Sequence, residues 1–335
     1  MMKLFLILIA ALPLAAAETL HVYTWADYVS PEAVEKFEEK HGCKVVVDTF
    51  DSNEAMFAKL KAGASGYDVI FPTSYMIQVM ETESMLLDLD SALLPNMKHV
   101  DPSVLEKIHD RRMKRSVPYT VGYAILACRK DKLPADPDTW KVFEHQSLAG
   151  RMTLLDDMRE TIGAALKSLG YSINTRDEKQ LQEARDVLLR WKPNIAKFDN
   201  EGYKAGLDSG EFLLVHGYSG DLFQVAQENS KVRLLIPQQG VTMSCDEMVI
   251  PKTAQQPALA HAFINFLLEP DIAAQNMEWM GYLCPNLEAL KKVSPEFLQN
   301  PAVTIPEDIK ARSEVIQDLG ADLAKYTRVW DAVKK

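Results

Sequence analysis

Apolar positions along the chain alternate between two rhythms. In LHVYTW (20–25), KVVVDTF (44–50) and YDVIFPTS (67–74) they form short runs rich in β-branched and aromatic residues, the pattern of strands. Between these runs they recur at helical spacing. From Ser30 to Gly42 a hydroxyl stands ready to cap the first turn, Pro31 takes the first helical position, Val34 and Phe37 share a face, and the glycine is the stop. NEAMFAKLKAG (53–63) repeats the plan, with Asn53 as the expected cap and Gly63 as the stop. A strand–helix–strand–helix–strand run predicts a parallel sheet with helices on both faces. Ligands of open α/β sheets bind beyond the carboxyl ends of the strands. Trp25, Asp27 and Tyr28 follow the first strand there, and Thr73, Ser74 and Tyr75 follow the third.

The alternation resumes with strands expected at VGYAILA (121–127), RMTLLD (151–156), EFLLVHGYSGD (211–221) and EMVIP (247–251). Helices are expected at 160–170, from Pro257 to Gly281, and through the C-terminal ARSEVIQDLGADLAKYTRVWDAV. No Pro/Gly/Ser-rich linker separates two halves, so two domains would be joined by crossing strands, placed near 121–127 and 243–250. The basic segment KIHDRRMKRS (107–116) reads as a solvated surface loop.

The first seventeen residues do not follow this pattern. Lys3, the apolar run LFLILIAALPL and Ala15–Ala17 have the order of a secretory leader cleaved near Ala17, and the run is too short to span a bilayer. About 318 residues remain of the 335, enough for two domains. The formal charge of −10 argues against nucleic acid, whose phosphates require a basic surface, and is compatible with a cationic ligand. Cys43, Cys128, Cys245 and Cys284 are widely separated, without a CxxC pair. Export permits disulfides, three full pairings stay open, and a metal cluster is not expected.

Seven histidines show no metal-binding spacing; there is no GxGxxG and no P-loop, and GYSG (217–220) does not match GxSxG. No catalytic residue, cofactor or metal is expected, and the contrasting reading, an exported hydrolase, lacks a nucleophile with an oriented base. The acidic positions say more. Trp25, Asp27 and Tyr28 place two aromatic faces beside a carboxylate, all attractive to a cation. Asp157 and Glu160, three apart, share a face if a helix starts there; they are either dipole-favoured first-turn acids or part of a site. Asp221 follows Tyr218 at an expected strand end, and Asp246 directly precedes an apolar strand.

The segments YTWADYVSPE (23–32), FDSNEAMFAKLKAG (50–63), YDVIFPTSY (67–75), VPYTVGYAI (117–125), LLDDMRE (154–160), HGYSGD (216–221), CDEMVIP (245–251), AFINFLLEPDIA (262–273), GYLCPN (281–286) and TRVWDAVK (327–334) carry a resemblance over nearly the whole chain after the leader. The sequence resembles the periplasmic spermidine/putrescine-binding proteins of ABC importers. The resemblance implies a two-lobed α/β solute-binding protein of type II, one lobe from 18–122 with 248–292 and the other from 123–247 with 293–335. It implies a polyamine held in the cleft by aromatic rings and carboxylates. Trp25 and Tyr28 match the first-lobe wall, Asp27 an acid beside it, and Thr73 and Tyr75 the polar positions after the third strand. Asp157 and Glu160 match the second-lobe acids, Asp246 the central carboxylate, Asp221 an acid of putrescine-type members, and Tyr282 a cleft aromatic of some members. Tyr218 stands where the family usually has tryptophan, and Ser244 where it has Trp or Phe. Each lost cation–π contact is worth roughly 0.5–2 kcal/mol, about one log unit of affinity. The implied partners are a polyamine and an inner-membrane permease, with delivery by a monomer from the periplasm. A sensor of the same fold that reports to a membrane receptor is the alternative.

Overall fold

The computed structural model describes residues 18–133 and 138–335, and the expected leader lies outside the described residues. Among the described residues ten strands form one mixed sheet: β1 (Thr19–Thr24), β2 (Lys44–Thr49), β3 (Val69–Ile70), β4 (Ser116–Arg129), β5 (Met152–Leu154), β6 (Ile195–Phe198), β7 (Leu214–Tyr218), β8 (Val232–Leu235), β9 (Thr242–Val249) and β10 (Glu314–Val315). Their order is β2-β1-β3-β9-β4-β7-β5-β6, with β10 beside β9 and β8 beside β4. The expected parallel pairing holds at both ends of the sheet, for β1 with β2 and β3 and for β5 with β6 and β7. Its middle is antiparallel. β4 pairs with β9 over Ser116–Ala124 and with β7 over Ala124–Cys128, so a single 14-residue strand belongs to both halves. The apolar run at 121–127 marked only the centre of that strand.

The first helix forms as its sequence dictates. Ser30 Oγ accepts from Ala33 N at 3.1 Å, Pro31 leads the helix Pro31–His41, and Gly42 adopts the left-handed conformation at its end (φ 64°). Ala33 and Phe37 are buried beneath it, with Val34 half-buried. In the second helix, Asn53–Lys61, the cap is Ser52 rather than Asn53: Ser52 Oγ accepts from Ala55 N, which frees the Asn53 amide for a long-range task.

Five other boundaries differ from expectation. The third strand keeps only two ladder residues; beyond it the Pro72 carbonyl still accepts from Glu247 N and Thr73 bridges Asp246 of β9, and a helix, Ser74–Thr82, starts directly after Thr73. Asp221 lies in the first turn of the helix Ser219–Glu228, not at a strand end. Asp246 lies inside β9 rather than before it, opposite Thr120. The C-terminal tract is α-helical only at Leu323–Lys334, after a 3-10 turn at Gly320–Asp322; Glu314–Val315 adds the parallel strand β10 to β9. The region 257–281 is two helices, Pro257–Leu267 and Pro270–Met280, the second started by Pro270.

Cys43, Cys245 and Cys284 are buried free thiols, and Cys128 is buried in β4. In the basic segment, Lys114 and Arg115 pair with Asp88, and His109 lies 2.7 Å from Glu81.

Candidate functional site

A cavity of about 390 Å³ opens among the ends of these elements. Its size is that of a small-molecule site. Trp25, Tyr28, Thr73, Tyr75, Asp157, Glu160, Tyr218, Asp221, Asp246 and Tyr282, ten of the eleven residues singled out from the sequence, line it. Asp27, the eleventh, stands beside it, its side chain about half exposed.

Asp246 is held from both sides. Thr73 Oγ1 donates to its Oδ1 at 2.6 Å, and the Tyr28 hydroxyl donates to its Oδ2 while sharing a hydrogen bond with Thr120. Thr73 is positioned by Asn53, which accepts from Thr73 N at 3.0 Å and donates to Thr73 Oγ1 at 2.9 Å. The residue read as a helix cap is thus the clamp that aims Thr73 at the carboxylate. Tyr28 is fixed in turn by Tyr119, whose hydroxyl donates to the Tyr28 carbonyl at 2.9 Å. Both donors to Asp246 are neutral. They hold the carboxylate in place without cancelling its charge, and burial pushes its pKa up to about 6.

The Asp157–Glu160 pair sits at the start of the helix Met158–Ser168. Asp157 is its cap and accepts from Arg159 N at 2.8 Å and Glu160 N at 2.9 Å, and the same residue lines the cavity. Glu160 is buried, takes a hydrogen bond from Thr242, and is pushed up to about 8, first by burial and then by repulsion from Asp157. Burial also raises Asp157. The neighbouring Arg159 carries a compensating charge, but its guanidinium donates to the Gln317 carbonyl and Asn174 and lies 4.9 Å from the Tyr326 ring centroid.

The aromatic walls are set by the backbone. Trp25 donates to the Phe71 carbonyl at 2.9 Å and tilts onto Phe50, with centroids 4.4 Å apart. Tyr75 donates to Glu54 at 3.1 Å. The Tyr282 ring lies 5.8 Å from that of Tyr28, edge to face. It fills space left by two glycines. A Cβ at Gly122 would come within 2.9 Å of the ring, and one at Gly220 would overlap it. Gly122 pairs with Ser244 across β4 and β9. Where the resemblance leads one to expect a large ring at 244, there is a small hydroxyl and Tyr282 beside it. Gly220→Ala is expected to push Tyr282 from this seat, at about 1–3 kcal/mol of stability. It should weaken ligand binding about tenfold through the lost ring contact. A thermal melt paired with calorimetric titration checks both.

Asp221 also lines the cavity. Tyr203 donates to its Oδ2 at 2.6 Å, and Lys204 lies 3.4 Å from its Oδ1 and 3.4 Å from Asp27 Oδ2. Asp27 is one of three described residues other than glycine with positive φ (53°), in the turn after β1. Sequence reasoning missed Asn53, Tyr123 and Lys204 in this cavity. Asn53 lay within a quoted segment but was absorbed by the capping reading. Lys204, in the helix Tyr203–Ser209, had no local signal at all.

A two-ended mixed α/β sheet with an acidic, aromatic-lined cavity at the strand ends is the architecture of a solute-binding protein. The family model for bacterial extracellular solute-binding proteins matches residues 32–305. The chain belongs to that family and, within it, to the spermidine/putrescine-binding periplasmic proteins of ABC transporters, which share the type II fold. It is 34% identical to the putrescine/cadaverine-binding protein of Pseudomonas aeruginosa over 95% of this chain and 94% of that one. It is 33% identical to the spermidine/putrescine-binding periplasmic protein of Escherichia coli, over 94% and 91%. Among solved structures, a putative spermidine/putrescine ABC transporter protein from Listeria monocytogenes superposes with TM-score 0.88 at 35% identity, covering 95% of this chain and 99% of that one. The P. aeruginosa and E. coli relatives are named for binding. No helix among the described residues is long and apolar enough to cross a membrane.

Proposed function

We propose that this protein captures a polyamine in the cavity and delivers it to an inner-membrane ABC permease. The observation that carries the reading is electrostatic. Asp246, Asp157 and Glu160 face one aromatic-walled cavity, and their closest hydrogen-bond partners there are hydroxyls and backbone amides, which orient a carboxylate but leave its charge. A buried carboxylate is stable when a cation meets it. An alkyl chain bearing ammonium groups supplies that cation and lays its methylenes against Trp25, Tyr28, Tyr75, Tyr218 and Tyr282. The names of the relatives support the same ligand class.

In this reading the lobes are 18–122 with 248–292 and 123–247 with 293–335, and closure bends β4 and β9, the strands common to both. Binding needs no covalent chemistry, so the protein acts as a carrier rather than an enzyme, as a monomer in the periplasm. A sensor would use the same cleft and differ in its docking partner; co-purification with a permease rather than a receptor separates the two. The test of the ligand class is calorimetric titration, after unfolding and refolding to strip carried-over ligand, with putrescine, cadaverine, spermidine, norspermidine and spermine. Micromolar or tighter binding to at least one is expected, a free energy of about −8 kcal/mol. Absence of heat with all five refutes the reading.

A further inference from the structure

The carboxylates of the cavity are not answered alike. Asp246 accepts from two hydroxyls, Thr73 and Tyr28. Asp157 accepts from two backbone amides and Glu160 from Thr242. Asp221 has a cation of the chain's own. Its Oδ2 takes the Tyr203 hydroxyl at 2.6 Å, and its Oδ1 faces the Lys204 ammonium at 3.4 Å. The same ammonium stands 3.4 Å from Asp27. Lys204 is itself half-buried and lines the cavity. Its ammonium therefore sits between two acids, one in the turn after β1 and one at the start of the helix after β7, each beside an aromatic residue of the cavity wall.

That arrangement is the one a ligand ammonium would adopt. A tethered ammonium on a flexible four-carbon stem is chemically an alkylamine. Once it is placed, Asp221 has both oxygens engaged, and a second ammonium there would meet like charge at close range. We propose, building on the polyamine reading above, that Lys204 is a specificity-determining residue. Its ammonium fills the amine position between Asp27 and Asp221, so the ligand presents its charges to Asp246 and the Asp157–Glu160 pair alone. The cleft thereby takes a ligand with one cationic centre fewer than the same cleft without this lysine, favouring diamines over triamines.

The test compares the purified wild-type protein with Lys204→Met, which keeps the stem and removes the charge, and Lys204→Arg, which keeps the charge. Each is stripped of ligand and titrated with putrescine and spermidine. In Lys204→Met the affinity for spermidine relative to putrescine is expected to rise at least tenfold, as Asp27 and Asp221 become free to meet the third amine. Lys204→Arg should keep the wild-type ratio. Lys204→Gln stands in if the methionine variant does not fold. A ratio that moves by less than about threefold in folded, binding-competent variants overturns the inference and leaves the polyamine reading intact, because an ion pair that merely latches the cleft shifts both ligands together. If neither the wild type nor any variant binds a polyamine, the reading of the cleft fails and the role of Lys204 fails with it.

Discussion

Asp246→Asn is expected to weaken polyamine binding about a hundredfold while leaving the melting temperature nearly unchanged. The substitution keeps shape and removes charge. Asp246 lies within β9, paired opposite Thr120, with Thr73 and Tyr28 closing on its two oxygens. An asparagine there still accepts from one hydroxyl and donates to the other, so the local network persists. What it cannot do is neutralise an ammonium. Truncating one partner of a buried charge pair costs about 2–5 kcal/mol, and a hundredfold lies near the lower part of that range. Trp25→Ala, which removes a wall and no charge, should cost about tenfold. Titration of both variants with the wild type's preferred ligand decides the matter. Unchanged affinity in Asp246→Asn would remove this carboxylate from the site.

The second large effect is on pH. The empty protein should lose thermal stability as pH rises from about 5 to about 9, and ligand should restore it. In the folded chain Asp246 holds its proton to about 6, Glu247 to about 7 and Glu160 to about 8, each raised chiefly by burial from ordinary values of 3.8 to 4.5. Between the unfolded and folded values the native state binds more protons. The associated stability is complete below about pH 4 and is withdrawn as pH climbs through each folded value. At about 1.4 kcal/mol for each pH unit between unfolded and folded values, the three groups together set an upper bound on the loss on the order of 10 kcal/mol, roughly 20 °C in melting temperature for a chain of this size.

A bound ammonium reverses the preference at two of these groups. It favours the ionised forms of Asp246 and Glu160, which face the cavity. Glu247 points elsewhere, to Ser116, and does not respond. The gap between liganded and empty melting temperatures should therefore widen with pH, and binding should release protons. Melts across the pH range with and without ligand test this; an empty protein that gains stability toward alkaline pH would contradict it. Lys204, whose pKa is raised by Asp221 and Asp27 against the opposing effect of burial, stays charged throughout the range.

Much of this molecule was legible in its sequence because the signals are local. The first helix carries its own cap, its Pro31 and its terminal glycine, and the parallel β1–β2–β3 unit follows from alternating periods of hydrophobicity. Eight of the ten segments that carry the family resemblance contribute a residue to the cavity lining, and ten of eleven residues chosen from the sequence converge there. The acids at 157 and 160 were ambiguous in sequence because a first-turn carboxylate caps a helix whether or not it meets a ligand, and Asp157 has the position for both. Asn53 was misread for a similar reason. Capping is a contact three residues away, visible in sequence, whereas its hydrogen bonds to Thr73 cross from one helix to the start of another.

What only the tertiary structure decided depends on contacts between distant segments. The length of β4 and the place of Asp246 inside β9 follow from mutual pairing, which extends strands past their apolar centres. The seat of Tyr282 needs the missing side chains of Gly122 and Gly220 together, and those residues are far apart in sequence. The meeting of Lys204 with Asp27 spans 177 positions and carries no periodic or motif signal. An ion pair between two such segments is decided by how the sheet brings its ends together, and by that geometry a lysine on an ordinary helix face comes to stand among the acids of the cleft.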